Sequence, residues 1–220
     1  MFGKRFNLLF MATLVKRTPR PQVVPIGEPR IRNGVVRLYR PKYDGLKMSL
    51  QDFLDWEPKP DGWKYEWNNG IVEVNEESMK NTERKMVRNI SRAFIKTMAF
   101  EQFDAELYPE TDCVLLSGQV RRPDIAYFTR EQIEASARNE QPVPAFVMEL
   151  ISPNDKAYKL EQKLDEYFAA SVACVWYIYP NLKQVNVYTS RTAVKICLDK
   201  TPCSAAPALD FTMTPNEIFA

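Results

Sequence analysis

Reduced to apolar and polar positions, the chain alternates short runs of period two with two stretches of helical period. Residues 49–56 (SLQDFLDW) predict a short helix capped by Ser49, with Leu50, Phe53 and Leu54 on one side. WKYEW and IVEVN then alternate around the turn residues Asn68-Asn69-Gly70, which predicts a hairpin. From Ser78 to about Phe100, Met79, Met86, Ile90, Phe94 and Met98 recur at spacings of four or seven, the pattern of one long amphipathic helix. Strand-like runs follow at 113–117, 123–128, 146–150, 174–179, 184–189 and 193–198. Between the third and fourth of these, residues 155–170 predict a second helix built on Leu160, Leu164, Tyr167 and Phe168. This order implies an α/β (α+β) fold with a mixed central sheet flanked by helices. Residues 16–48 are rich in Pro and Arg without a sustained period, so the expected organisation is an irregular arm over 1–48 and a folded domain over 49–220.

Composition narrows the chemistry. At 220 residues and 45% hydrophobic, the chain can bury one full-sized core. It contains no histidine, which removes Ser-His-Asp and Cys-His catalysis and every imidazole zinc site. Proton transfer then falls to carboxylates, lysine, tyrosine or metal-bound water. Cys113, Cys174, Cys197 and Cys203 include no C-x-x-C pair, so free thiols and a cytoplasmic location are expected. Residues 1–42 carry ten Lys/Arg against Glu28, a balance of +9, while the remaining 20 basic and 27 acidic residues give −7. Such an arm can hold a polyanion by counterion release, or can be a solvated tail. The apolar segment Phe6–Val15 is too short to span a bilayer and runs into KRTPRP without a small-residue cleavage site, so no membrane partner is expected.

Two carboxylates stand out. Asp124 opens the run PDIAYF and Glu149 lies near the end of FVMEL, each among apolar neighbours. A carboxylate at the edge of a buried strand costs free energy unless it is paired, hydrogen-bonded or metal-bound, and two on neighbouring strands would suit a hard cation. The alternative is that each caps a strand or pairs with a lysine. After Glu149, Ser152-Pro153-Asn154-Asp155 supplies N-cap residues for the helix that carries Lys156, Lys159 and Lys163. Lys163 borders the Leu160/Leu164 stripe and can reach the sheet edge, or can form a helix salt bridge such as one with Glu166.

The ordered series RRPDIAYF, FVMELISPND and KLDEYFAASVACVWYIYP, with YEWNNGIVEV upstream and TPNEIF downstream, resembles the Uma-two family of candidate bacterial restriction endonucleases, within the PD-(D/E)xK superfamily. The resemblance spans roughly residues 49–220 and implies a restriction-endonuclease-like fold. It implies that Asp124 is the PD aspartate, Glu149 the second acidic ligand of Mg²⁺ or Mn²⁺, and Glu66 a further acidic position that reaches the metal or its waters. The superfamily's usual lysine position is Ile151 here, and the resemblance moves that role to Lys163. Family members often carry a histidine near the start of the long helix, and this chain has none. The activity implied is metal-dependent hydrolysis of phosphodiesters in DNA. Arg121 and Arg122, just ahead of Asp124, can contact a neighbouring phosphate or can be exposed charges at a strand entrance. A nuclease-derived module that binds nucleic acid without cleaving is the alternative, and a homodimer, common in the superfamily, is left open. If Lys163 is the catalytic cation, replacing it with Met is expected to cost activity and little stability.

Overall fold

The computed structural model describes residues 41–58, 63–76, 81–115 and 118–220, together with two backbone strands, β1 (Pro29–Arg32) and β2 (Val35–Leu38). These two strands pair antiparallel, so part of the stretch expected to be irregular is a hairpin. The rest of the chain before residue 41, including Phe6–Val15, lies outside the described residues. The folded body begins earlier than expected, because Tyr43, Leu46 and Met48 already pack with Phe53, Tyr65 and Val72. Helix α1 (Leu50–Leu54) starts at Ser49, whose hydroxyl accepts the Asp52 amide. It buries Phe53 but leaves Leu54 exposed. Strands β3 (Trp63–Asn68) and β4 (Ile71–Glu76) form the expected hairpin. Asn69 and Gly70 have φ of 46° and 92°, the left-handed backbone that lets a two-residue turn follow the strand twist.

The long helix expected after the hairpin is two helices. Helix α2 (Asn81–Phe94) ends where the Thr97 hydroxyl donates to the Phe94 carbonyl and accepts the Phe100 amide, capping a separate α3 (Met98–Glu101). Met98 is therefore exposed rather than part of the apolar stripe, and Ser78 and Met79 lie outside the described residues. Next come β5 (Glu106–Pro109), β6 (Cys113–Leu115), β7 (Gln119–Arg121), β8 (Ile125–Phe128), α4 (Arg130–Ala137) and β9 (Phe146–Leu150). Helix α5 (Ala157–Ala169) leads to β10 (Cys174–Tyr179), β11 (Gln184–Ser190) and β12 (Ala193–Leu198). The short strands β13 (Cys203–Ser204) and β14 (Thr212–Met213) and helix α6 (Pro215–Phe219) follow. The apolar pattern predicts none of β5, β7, α4, β13, β14 or α6, which are short or carry little period of their own.

The central sheet has the order β12-β11-β10-β9-β8-β5. Only β9 and β10 are parallel in it, because α5 is the crossover between them. This is the mixed sheet that the order of runs implied. Its middle strands are covered on both faces, which explains their near-continuous apolar sequence. One face packs Ile90, Phe94, Phe146, Met148 and Trp176 beneath α2 and α6, and the other packs Ala126, Val147, Val175, Leu164 and Tyr167 beneath α5. Truncating a fully buried side chain such as Leu164 to alanine costs about 2–5 kcal/mol. A second sheet has the order β4-β3-β7-β6. The link Arg122-Pro123-Asp124 carries the chain from β7 of that sheet to β8 of the central one, so the two sheets meet beside Asp124. No helix among the described residues is long and apolar enough to cross a membrane.

Candidate active site

Three elements of different sequence origin deliver charged groups to one place. In the central sheet β8 and β9 pair Ile125 with Met148, and one step along that register Asp124 stands across from Glu149. Asp124 Oδ2 accepts the Leu150 amide at 2.6 Å, which fixes the carboxylate against β9. In the second sheet, β3 is buried along most of its length, with Tyr65 and Trp67 in the aromatic cluster. The period of two therefore turns Lys64 and Glu66 together to the opposite face. From the helix come Lys163, Glu166 and Tyr167, spaced so that all three lie on one side of α5.

The contacts form one bonded network around Glu66, Glu149 and Arg121, with the Lys64–Asp124 pair beside it. Lys64 Nζ donates to Asp124 Oδ1 at 3.1 Å, while Lys163 Nζ donates to Glu66 Oε1 at 2.8 Å and to Glu149 Oε1 at 3.4 Å. The Tyr167 hydroxyl donates to the same Glu149 oxygen at 2.5 Å. Glu66, wholly buried, also accepts from the Arg122 amide, the Asn75 side chain and Arg121. Arg121 holds Glu166 through two bonds of 2.6 and 2.9 Å and Glu73 through one of 2.6 Å. Glu66 and Glu73 face each other in the β3–β4 register, a like-charge pair that would be destabilising without the guanidinium between them.

These neighbours set the protonation states. Burial by itself would raise the pKa of Glu66, but Lys163, then Arg121 and Lys64, hold it down at about 2. Burial raises the pKa of Glu149; Lys163 and Lys64 act against this, and the nearby charges of Asp124 and Glu66 add to it. For Lys163, burial opposes the charge, yet Glu149 and Glu66 outweigh it and the pKa is raised. The hydroxyl of Tyr167 is pushed well above its ordinary range by burial and by Glu149, so it remains a neutral donor. Among the described residues of this cluster, Glu66, Glu73, Asp124, Glu149 and Glu166 face Lys64, Arg121 and Lys163, with Lys159 adding its charge near Glu73. The carboxylates thus outnumber the cations, and at Glu149 burial is the first cause of the raised pKa.

The structure brings Asp124, Glu149, Glu66 and Lys163 together from among the residues singled out in the sequence. Lys163 pairs with Glu66 and Glu149 rather than with Glu166, which is taken by Arg121. Two expectations need correction. Arg121 does not sit where it could contact a phosphate, because it is 1% exposed and committed to three glutamates. Arg122 is partly exposed and holds Asp112 with two bonds of 2.7 and 2.9 Å. The second correction concerns the start of α5, where the N-cap is Lys156, without a side-chain cap, and Asp155 instead closes a turn onto the Ser152 amide. The sequence reading missed Lys64 and the roles of Tyr167, Glu73 and Glu166. Lys64 was legible in principle, since it stands two residues before Glu66 on the same strand face.

The arrangement of central sheet, hairpin sheet and crossover helix is a restriction-endonuclease-like fold. A crystal structure titled a putative nuclease from Anabaena variabilis superposes with a TM-score of 0.63 over 78% of this chain and 97% of that one, at 17% identity. Residues 50–214 match the Uma2 family, described as "Putative restriction endonuclease", and the chain belongs to that family. No curated protein matches the chain.

Proposed function

We propose that this protein is a divalent-metal-dependent endonuclease that hydrolyses phosphodiester bonds in DNA, with Asp124 and Glu149 as the metal-binding carboxylates and Lys163 as the catalytic cation. The observation that carries the reading is the meeting of Asp124 and Glu149 on adjacent strands beneath a lysine ammonium supplied by a separate helix. Family membership and the fold agree with it.

The donor set fits a hard cation. Among the described residues no group of three or more His, Cys, Asp or Glu is arranged to hold a metal. The protein's own share of a site would be Asp124 and Glu149, which stand across from each other along the β8–β9 register. That suits Mg²⁺ or Mn²⁺, which commonly keep waters and take substrate phosphate oxygens as further ligands. When bound, the ion supplies charge neutralisation at the phosphate and an acidified water.

The chain's own groups do the rest. Lys163 stays protonated, so it acts as a cation that orients the attacking water and stabilises developing phosphate charge, not as a base. Glu66, ionised at any working pH, holds that ammonium in place. Tyr167 fixes the orientation of Glu149. The basic arm adds sequence-independent affinity for the nucleic acid.

The test is incubation of the purified protein with supercoiled plasmid and single-stranded DNA in Mg²⁺, Mn²⁺ or EDTA, beside Asp124→Asn. Metal-dependent cleavage that falls at least about a hundredfold in a folded Asp124→Asn protein is expected. A wild-type protein that binds DNA yet cleaves none of these substrates in either ion would replace this reading with the non-cleaving module.

A further inference from the structure

Two lysines converge on the carboxylates, and their surroundings differ in a way that separates their roles. The ammonium of Lys163 is gripped by Glu66, and Glu66 is itself pinned by Arg121, by the Arg122 amide and by Asn75. Lys64 is held by fewer bonds. Its one hydrogen bond among the described residues goes to Asp124 Oδ1, and the other charges around it are Glu149, Lys163 and Glu66. Asp124 is the more open of the two proposed ligands, with its side chain 17% exposed against 7% for Glu149.

From this geometry we propose that Lys64 is a resident counter-cation of the site, which neutralises and aims Asp124 and must be displaced from it when a divalent cation binds Asp124 and Glu149. The inference rests on the reading of those residues as metal ligands. The ammonium at 3.1 Å takes one lone pair of Oδ1 and the Leu150 amide one of Oδ2, so an ion that binds Asp124 arrives within a few ångströms of a resident cation, and in this buried setting the two repel each other and compete for the carboxylate's charge. Lys64 is itself buried, with its side chain 9% exposed, but its charge sits on a flexible four-carbon stem held by one hydrogen bond among the described residues, whereas Arg121 is locked by its fork of bonds. Lys64 therefore lowers the affinity for the free ion while holding Asp124 ready. Once displaced, its ammonium needs a new anion, and a substrate phosphate arriving with the ion meets that need. Ion and nucleic acid would accordingly bind with positive coupling through Lys64.

The sign of the effect makes this testable without any cleavage. Calorimetric titration of the full chain with Mn²⁺, in the absence of nucleic acid, should show Lys64→Met binding about tenfold or more tightly than wild type. A residue with a merely structural role would leave the affinity unchanged or weaken it on removal, and either result overturns the proposal. Lys64→Gln, which keeps a donor and much of the stem, provides the same comparison if the methionine variant does not fold. A second measurement uses the wild-type protein alone: the acetylation rate of Lys64, followed by mass spectrometry, should rise several-fold on saturation with Mn²⁺. No change in that rate also overturns the proposal. Absence of Mn²⁺ binding in both wild type and variants would instead sink the metal reading of Asp124 and Glu149, and this inference with it.

Discussion

Replacing Arg121 with methionine separates the two roles that sequence and structure assign to this residue. In the fold, Arg121 is the only described cation bonded to both Glu73 and Glu166, and it also bonds Glu66. Glu166 would keep its bond from Gln162, Glu66 would keep Lys163, and Glu73 would keep the Asn68 amide. Removing one partner from a buried ion pair costs about 3–5 kcal/mol, because the other charges stay buried without it. Against a total stability of roughly 5–15 kcal/mol, that is a large fraction. For a chain of this size it corresponds to a fall in melting temperature of about 6–20 °C. Arg121→Lys should recover little of the loss, since one ammonium cannot replace a fork that reaches three carboxylates. Adding Glu166→Gln to Arg121→Met should recover part of it by removing the charge left behind, a coupling of about 1–3 kcal/mol. Urea denaturation of these proteins and of the Glu166→Gln single variant, at fixed pH and salt, measures all of these. A folded Arg121→Met with wild-type stability, and a salt dependence of DNA binding reduced by about one unit, would refute the buried role and restore the phosphate contact.

Lys163→Met should reduce cleavage by about two orders of magnitude or more while the milder Lys159→Met does not, and full activity in both would remove α5 as the source of the catalytic cation. Its expected stability changes with the structure: because Lys163 neutralises the buried Glu66, denaturation should show a loss of a few kcal/mol rather than almost none. Acid should erode the contribution of Glu66 in a defined window. Its folded pKa lies below the ordinary 4.5, so the stabilisation is present above about pH 4.5 and is lost as pH falls toward 2. The stability difference between wild type and Glu66→Gln should shrink across that range, and a difference independent of pH would contradict the assignment.

Much of the fold was legible in the sequence, because local physics specified it. Asn69-Gly70 accepts the backbone of a tight turn, the runs at 146–150 and 174–179 are apolar enough for strands covered on both faces, and Leu160, Leu164 and Tyr167 mark one side of a helix. That Asp124, Glu149, Glu66 and Lys163 are candidates for one site was legible too, from charged residues set in apolar runs and from positions matching a family pattern. Their partners were not. Lys64 lies 60 residues before Asp124, Arg121 is 45 from Glu166, and Glu66 is 97 from Lys163. No local period encodes such distances. The packing of α5 across the junction of two sheets decides which charge meets which, and only there does burial commit Arg121 to the interior and place Lys64 on Asp124. The break at Thr97 is likewise tertiary, since spacings of four and seven run through it while the chain turns to form the short helix that follows. Sequence by itself determined most of the longer elements and put forward Asp124, Glu149, Glu66 and Lys163 as candidates for the chemistry. Tertiary structure decided their pairing, because desolvation makes each buried charge depend on neighbours that the linear chain keeps far apart.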